Sequence, residues 1–415
     1  MAALFLLSII TYLDRVCISV AAPAMGEELG MSPSQLGMVF GIFTLAYGLF
    51  EIPGGWMGDR FGTRVTLTRI VIWWSVFTAW TGAIRSFAGL LIVRFLFGAG
   101  EAGAYPNSSS AISRWFPTQE RARAHGLVWM ASRLGGALAP LLVIPLQNAF
   151  GWRSVFYIFS VIGVIWAVGW YAWFRDDPRE KAGVNAAELE VIGVSTQSRH
   201  GLPFGAIIRD SNLWAVMLMY HFFCYGSYWY IAWTPTYLVQ AKNMSGATLA
   251  TYSALPFVLG ALANGVGGFV GDALVKRLGL KSGRRIVGIG GVTLAGIFML
   301  VSLFIENPYL AAGVLALGFA ASDFMLPTCW AVCLDIGKES AGTVTGTMNT
   351  LGQMGATIMS YSFGVMVEEY GWNLPLVAIA GLFFVSALIW LKIDPTRPIR
   401  RTDMDRAPVM AGGVS

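Results

Sequence analysis

The chain has 415 residues, 56% of them hydrophobic and only 12% charged, with a formal net charge of +5 and a mean hydropathy of +0.62. Soluble domains carry about 25% charged residues, so this composition excludes an ordinary soluble enzyme or nucleic-acid-binding module and points to a chain embedded in a bilayer. The four cysteines (Cys17, Cys224, Cys329 and Cys333) all lie in apolar runs without zinc-ligand spacing, and read as small buried apolar residues.

The first residues, MAALFLL, have neither a basic leader nor a small-residue cleavage site, and read as the start of a first span rather than a removable signal peptide. A spanning helix needs roughly 20 mostly apolar residues. Twelve segments meet that need, with cores at 3–24, 34–57, 66–84, 88–112, 122–146, 153–174, 213–239, 248–271, 286–305, 309–334, 342–366 and 374–392. The longest polar stretch, 175–210, follows the sixth. The expected organisation is a six-helix bundle over 1–174, a central loop over 175–210, a second six-helix bundle over 211–392 and a tail over 393–415.

Basic residues concentrate in alternate loops. One set holds Arg60, Arg64, Arg114, Arg121, Arg123, Arg175, Arg179, Lys181, Lys276, Arg277, Lys281, Arg284 and Arg285, and the tail adds Arg397, Arg400 and Arg401. The other set holds Glu27, Glu28, Glu306, Glu368 and Glu369 against Arg85, Arg153 and Lys242. Short loops rich in Lys and Arg stay cytoplasmic, so both termini and the central loop are expected inside. The halves also repeat: GGWMGDRFGTR at 54–64 recurs in weakened form as GGFVGDALVKR at 267–277, and Pro106 in the fourth span matches Pro327 in the tenth. The fold class expected is an all-α membrane protein of twelve transmembrane helices in two pseudo-repeated six-helix bundles, with a ligand held between them near the midplane.

GGWMGDRFGTR resembles the signature between the second and third helices of the major facilitator superfamily, carried here by Gly55, Asp59, Arg60, Gly62 and Arg64. A narrower resemblance rests on YLDR in the first span, on RFLFGAGEAGAYP with WFPTQERARAHG in and after the fourth, and on WTPTYL at 233–238. These are similar to the anion:cation symporter family, which includes transporters of galactonate, hexuronates, glucarate, sialic acid and glutamate. The resemblance covers essentially the whole chain. It implies uptake of an organic anion, usually with a proton, and its coupling acids and bases match Asp14, Arg15, Arg94 and Glu101; Tyr47 matches a substrate-contact position.

On a helical wheel of about 100° per residue, Ser8, Thr11, Tyr12, Arg15 and Ser19 share one stripe of the first span. Lipid cannot satisfy such a stripe, which should face the bundle interior or a water-filled cavity. Arg15 is thus placed to hold a substrate carboxylate through its planar guanidinium; the alternative is a packing arginine neutralised by Asp14. Neighbouring residues point about 100° apart, so Asp14 and Arg15 need different partners. The fourth span supplies Arg94 and Glu101, two turns apart on one face, and the expected pairs are Asp14 with Arg94 and Glu101 with Arg15. Both acids are candidate proton carriers, because loss of a paired base raises a carboxylate's proton affinity.

Further candidates are softer. Thr44, Tyr47 and Glu51 share a face of the second span, where Glu51 suits a gate better than a substrate contact. His221, Cys224, Tyr225 and Tyr228 form a stripe in the seventh, and Tyr225 is a substrate candidate; a lone histidine such as His221 is more often a hydrogen-bonded packing residue. In the eleventh, Asn349 and Gln353 suit sugar hydroxyls, with helix packing nearly as good an explanation. Arg133, next to Ser132 in the fifth span, departs from the neutral polar residues usual among relatives, and Asp323 in the tenth either neutralises it or titrates by itself; Trp330 shares the face of Asp323. Ser132, Arg133 and Trp330 join the substrate candidates, and Asp323 the proton-coupling set. Asp59, Arg60, Arg64 and Glu51 are the gating candidates.

The combined expectation is a secondary active transporter importing a small organic anion with protons, with a sugar acid of hexonate, hexuronate or aldarate type as leading class. A carrier of aromatic or simple dicarboxylates is the alternative within transport, and a membrane ligand sensor the alternative outside it. Neither a nucleophile–base set nor a metal cluster is apparent, so the chain is not expected to be an enzyme. No cofactor beyond the coupling proton and no nucleic-acid partner is expected; the chain should work as a monomer in an inner membrane.

Overall fold

The computed structural model describes residues 1–116, 118–192, 209–337 and 341–399; the side chains of 52, 59, 113, 118–123, 125, 191 and 341–343 lie outside the description, and the gating candidate Asp59 with them. The described residues form helices and connecting turns. In chain order these are α1 (Ala2–Leu29), α2 (Pro33–Phe61), α3 (Thr63–Ala83), α4 (Phe87–Glu101), α5 (Ala104–Trp115), α6 (Thr118–Phe150), α7 (Trp152–Trp173), α8 (Ala186–Ile192), α9 (Ser211–Ala232), α10 (Thr234–Gln240), α11 (Gly246–Leu278), α12 (Leu280–Leu303), α13 (Pro308–Gly337), α14 (Ala341–Tyr370) and α15 (Asn373–Trp390). Among the described residues, nine spans are long and apolar enough to cross a membrane by length and composition alone. Three further long helices, α3, α9 and α14, are richer in Trp, Tyr, Thr, Gly or amide side chains and complete the twelve.

Local sequence explains where helices start and stop. Ser32 caps α2 in a reciprocal box with Gln35, whose backbone N–H donates to Ser32 Oγ (3.3 Å) while its Oε1 accepts from Ser32 N (3.0 Å), and Pro33 follows at the first helical position. Asp210 caps α9 by accepting from Leu213 N at 2.8 Å. Two spans expected as continuous are broken. The fourth divides into α4 and α5 around Ala102 and Gly103, and the seventh into α9 and α10 at Trp233, with Pro235 opening the new helix. Gly103 takes a left-handed φ of 89°, and a Cβ there would stand 2.7 Å from the backbone of Gly54 on α2. Asn107 fastens this break by donating to the carbonyls of Gly103 (2.7 Å) and Gly54 (2.9 Å).

Packing repeats with the sequence. In the first half α1 packs on α6, α2 on α4 and α3 on α7; in the second, α9 packs on α14, α11 on α13 and α12 on α15. The halves meet along two seams, α2 against α14 and α6 against α11. Apolar side chains such as Phe269 (83% exposed), Ile165 (67%) and Leu262 (64%) point outward, as expected of a lipid-facing belt. The seams are lined by small residues: a Cβ on Gly41 would lie 3.2 Å from Thr357 O, and one on Gly37 would overlap Ser360 O.

The ends differ in charge. The basic end carries Arg114, paired with Asp176 at 3.0 Å, and Lys281, paired with Asp394 at 2.6 Å. Asp176 also accepts from Thr63 N (2.7 Å) and Thr63 Oγ1 (2.7 Å), capping the start of α3. At the opposite end Glu28 accepts from Arg153 (2.8 Å) and the Trp152 indole (2.6 Å).

Two outcomes are expected. Gly37→Leu forces a side chain into Ser360 on α14 and should prop the α2–α14 seam apart; overpacking costs about 1–3 kcal/mol. The melting temperature should fall while size-exclusion chromatography still shows folded protein. The second outcome concerns Asp394, whose carboxyl the Lys281 bond, followed by Thr396, holds down at about 2. Its folded value lies below the ordinary carboxylate value, so its stabilisation is present above pH ~4 and is lost as pH falls toward 2. The pair is partly exposed and worth at most about 1 kcal/mol; melting curves from pH 5 to 2 should fall less steeply in Asp394→Asn.

Candidate functional site

The polar stripe of α1 points into the bundle, but most of it is satisfied within the helix. Ser8, Thr11 and Ser19 donate to the carbonyls of Leu4 (3.1 Å), Leu7 (2.8 Å) and Val16 (2.8 Å) and are buried. These hydroxyls do not line a wet cavity here. Arg15 and Tyr12 are the members of the stripe that reach beyond the helix.

Arg15 Nε donates to Glu101 Oε1, forming the expected ion pair between α1 and the end of α4. Its guanidinium lies among aromatic rings: Tyr47 at 4.5 Å, Tyr12 at 5.5 Å, Phe43 at 5.5 Å and Tyr105 at 5.8 Å from Cζ to ring centre. The outer groups of the pair are unused: Arg15 Nη2 and Glu101 Oε2 are buried and make no hydrogen bond among the described residues. A charge with an unpaired donor in an apolar cage is costly; the donor suits a planar, anionic, oxygen-bearing group.

The expected Asp14–Arg94 ion pair is not formed. Both carboxylate oxygens of Asp14 and Nε of Arg94 lack a hydrogen-bond partner among the described residues. The Arg94 head lies over Phe97 (4.6 Å) and Phe43 (4.8 Å). The two residues still act on each other through space, and Glu101 acts on both. A guanidinium over ring faces gains a favourable cation–π contact, and a wheel of α1 and α4 leaves out Phe43, which comes from α2. Asp14 remains buried at 3% exposure.

Arg133 pairs with Asp323 across the two halves. Nη2 donates to Oδ1 at 2.8 Å, and Nε stands 2.6 Å from Oδ2, at an angle that makes it an ionic contact rather than a hydrogen bond. Of the two roles the sequence leaves open for Asp323, the one observed is neutralisation of Arg133. Beside it, Ser132 donates to Val128 O (3.0 Å) and shares a 2.7 Å hydrogen bond with the Tyr105 hydroxyl.

Asn349 on α14 reaches across the seam and donates to both oxygens of Glu51 at 3.1 Å. The gating candidate thus meets the opposite half, while the substrate candidate Asn349 is engaged by it. The Tyr225 hydroxyl is bonded to Ser362 (2.7 Å), and His221 Nδ1 donates to Leu351 O (2.9 Å), the packing arrangement expected of a lone histidine. Thr44 and Thr357 share a 2.7 Å hydrogen bond across the same seam. Arg64 donates to Tyr171 O (2.8 Å) and Arg60 lies over Trp56 (5.2 Å) and Phe61 (5.5 Å). These two gating candidates therefore bind within the first half.

Residues not foreseen complete the site. Trp129 stacks on Tyr105 (5.0 Å, 5°) and tilts against Trp330 of the other half (5.3 Å, 59°). At the opposite end Phe40 meets Trp233 edge-on at 5.5 Å, and Trp233 packs on Phe363 at 5.1 Å, closing the halves over the charged cluster. Ser34 N, also at that end, donates to Glu368 of the other half at 3.0 Å. Spacing offered a signal for two of them: Phe43 precedes Tyr47 by one turn, and Trp129 precedes Arg133 by one turn. Trp233 was marked only as the first residue of WTPTYL, because its place depends on the break in the seventh span.

The Major Facilitator Superfamily profile matches residues 4–360. The chain is 34% identical over 411 residues to a probable sulfoacetate transporter of Cupriavidus necator, spanning 96% of this chain and 94% of that protein. It is 29% identical to a hexuronate transporter of Bacillus subtilis (95% and 94% covered) and 31% identical to a probable L-galactonate transporter of Escherichia coli (89% and 82% covered). Among solved structures, a bacterial homologue of the human lysosomal transporter Spinster shares the fold at a TM-score of 0.77 and 21% identity, over 94% of this chain and 95% of that one. With its six-plus-six architecture, its GGWMGDRFGTR signature and these relatives, the chain belongs to the Major Facilitator Superfamily of membrane transporters.

Proposed function

We propose that the protein imports a small organic anion together with protons, across an inner membrane and with both termini cytoplasmic, by alternating exposure of a site between the 1–174 and 211–392 halves. A sugar acid is the leading substrate class. The observation that carries this reading is the Arg15–Glu101 pair: a caged guanidinium with one unpaired buried donor, opposed by a carboxylate with one unpaired buried oxygen. Arg15 holds the substrate carboxylate. Glu101 competes for the same guanidinium, and a proton on Glu101 removes that competition. Asp14 is the second proton carrier, poised by the charge of Arg94 acting through space. The names of the relatives, which speak of sulfoacetate, hexuronate and L-galactonate, describe organic anions and support the class. The Glu51–Asn349 bond and the Trp129–Trp330 contact form the gate at the basic end.

Coupling requires that substrate and proton each prefer one state of the cycle, and one shared guanidinium supplies that preference. In a thermal-shift panel of sugar acids, sulfocarboxylates and dicarboxylates, at least one compound should stabilise the protein. Arg15→Ala should abolish that stabilisation, and its survival would remove Arg15 from the substrate site. In proteoliposomes under an imposed pH gradient, Glu101→Gln should lose uphill uptake of the stabilising compound but keep counterflow. Undiminished proton-driven accumulation in that variant would overturn the coupling role, and binding without any exchange in the unaltered protein would mark it as a sensor.

A further inference from the structure

The Arg133–Asp323 pair has no role in the reading above. It lies mid-span in α6 and α13, so it bridges the two halves at the depth of Arg15 and Glu101. Asp323 is fully buried and the Arg133 side chain is 6% exposed. The simplest explanation is a tie that holds the halves together. Buried ion pairs are poor ties, since apolar residues of the same volume stabilise as well or better. This one also crosses the plane along which the halves rock in such folds.

Its position suggests more. The Tyr12 ring lies between the two arginines, with Arg15 Cζ 5.5 Å and Arg133 Cζ 5.9 Å from its centre. The hydroxyl bond from Tyr105 to Ser132 joins the cage of Arg15 to the residue preceding Arg133. The polar or titratable groups facing Arg133 are Tyr12 from α1, Tyr220 and Cys224 from α9, and Asp323 from α13, while Phe319 lies 5.4 Å below it. Asp323 is thus the one acid acting on Arg133 among the described residues. Arg133 repeats on the other side of Tyr12 what Arg15 presents on this one: a guanidinium beside aromatic rings, covered by a single carboxylate from another helix.

We propose that Arg133 is a second anion subsite, covered by Asp323 in this structure, and that the site is built for an organic dianion whose two charged groups are a few atoms apart. This rests on Arg15 taking the first carboxylate. The second carboxylate or sulfonate replaces Asp323 on Arg133, and the displaced Asp323 oxygen takes a proton from the aqueous phase. One negative charge leaves the guanidinium and one arrives, so the buried charge stays balanced. The second anionic group therefore adds one proton to those carried by Glu101 and Asp14. Breaking the bridge between α6 and α13 at the same moment ties substrate identity to the release of the two halves.

Matched probes test this: glucarate against gluconate, and sulfoacetate against acetate. Binding is read by calorimetry, and protons per substrate by simultaneous pH-electrode and tracer uptake in proteoliposomes. The diacid of at least one pair should bind about tenfold or more tighter than its monoacid, the worth of one charged hydrogen bond, and bring one more proton. Absence of a diacid preference in both pairs, or equal proton counts for diacid and monoacid, would overturn the proposal without any variant. Asp323→Asn removes the competing carboxylate and should tighten diacid binding while lowering its proton count by one. Arg133→Gln combined with Asp323→Asn leaves no unpaired buried charge and should bring the diacid preference close to one; retention of the preference there would also overturn it. Arg15→Ala separates the two readings, because it should abolish binding of monoacid and diacid alike.

Discussion

A charge inside a bilayer-spanning bundle must be paired, and the central arrangement follows from how this chain meets that demand. Two of its mid-span arginines are neutralised by carboxylates from other helices, Arg15 by Glu101 and Arg133 by Asp323. The third, Arg94, lies on the faces of Phe43 and Phe97. Desolvation costs several kcal/mol per ion, so each pair is stable only while its partner is present, and exchange of a partner is the natural event at such a site. That is why these residues suit transport better than support.

The helix breaks serve the same constraint. Ala102 caps α4 immediately after Glu101, and the close approach of Gly103 to Gly54 locks α4 and α5 onto α2. Glu101 is thereby held at a fixed depth under Arg15, while Tyr105 continues on α5 as part of the arginine cage. In the second half the break at Trp233 delivers an indole between Phe40 and Phe363, so that the opposite end closes through aromatic contact beside the Ser34–Glu368 hydrogen bond. Small residues along the α2–α14 seam bring backbones close enough for Thr44 to meet Thr357 and for Glu51 to meet Asn349. The result is a set of polar links across the seam, each of modest strength, around a buried charged core.

Much of this was legible in the sequence because the bilayer imposes a long, one-dimensional signal. Twelve apolar runs, the 175–210 interruption, the repeat of GGWMGDRFGTR and the one-sided distribution of basic residues depend only on composition along the chain. The wheel of α1 separated Asp14 from Arg15, and the seven-residue spacing of Arg94 and Glu101 pointed to the right helix for a partner. Charge complementarity also offered Asp323 as one of two readings for Arg133, and the residues, 190 positions apart, do pair.

What the tertiary structure decided were the contacts set by helix rotation and by breaks. Asp14 and Arg94 act on each other as charges but not as a pair, and the Arg94 head lies on the rings of Phe43 from α2 and Phe97 from its own helix. Asn349 and Tyr225, which periodicity offers to a ligand, are engaged by Glu51 and Ser362. Periodicity reports which face of a helix is polar, and it is silent on which neighbour that face meets. The sequence by itself therefore determined the class of protein, its two halves and the charges at its centre. Only the folded arrangement decided which charge answers which, since that choice turns on distances of a few ångströms between helices far apart in the chain.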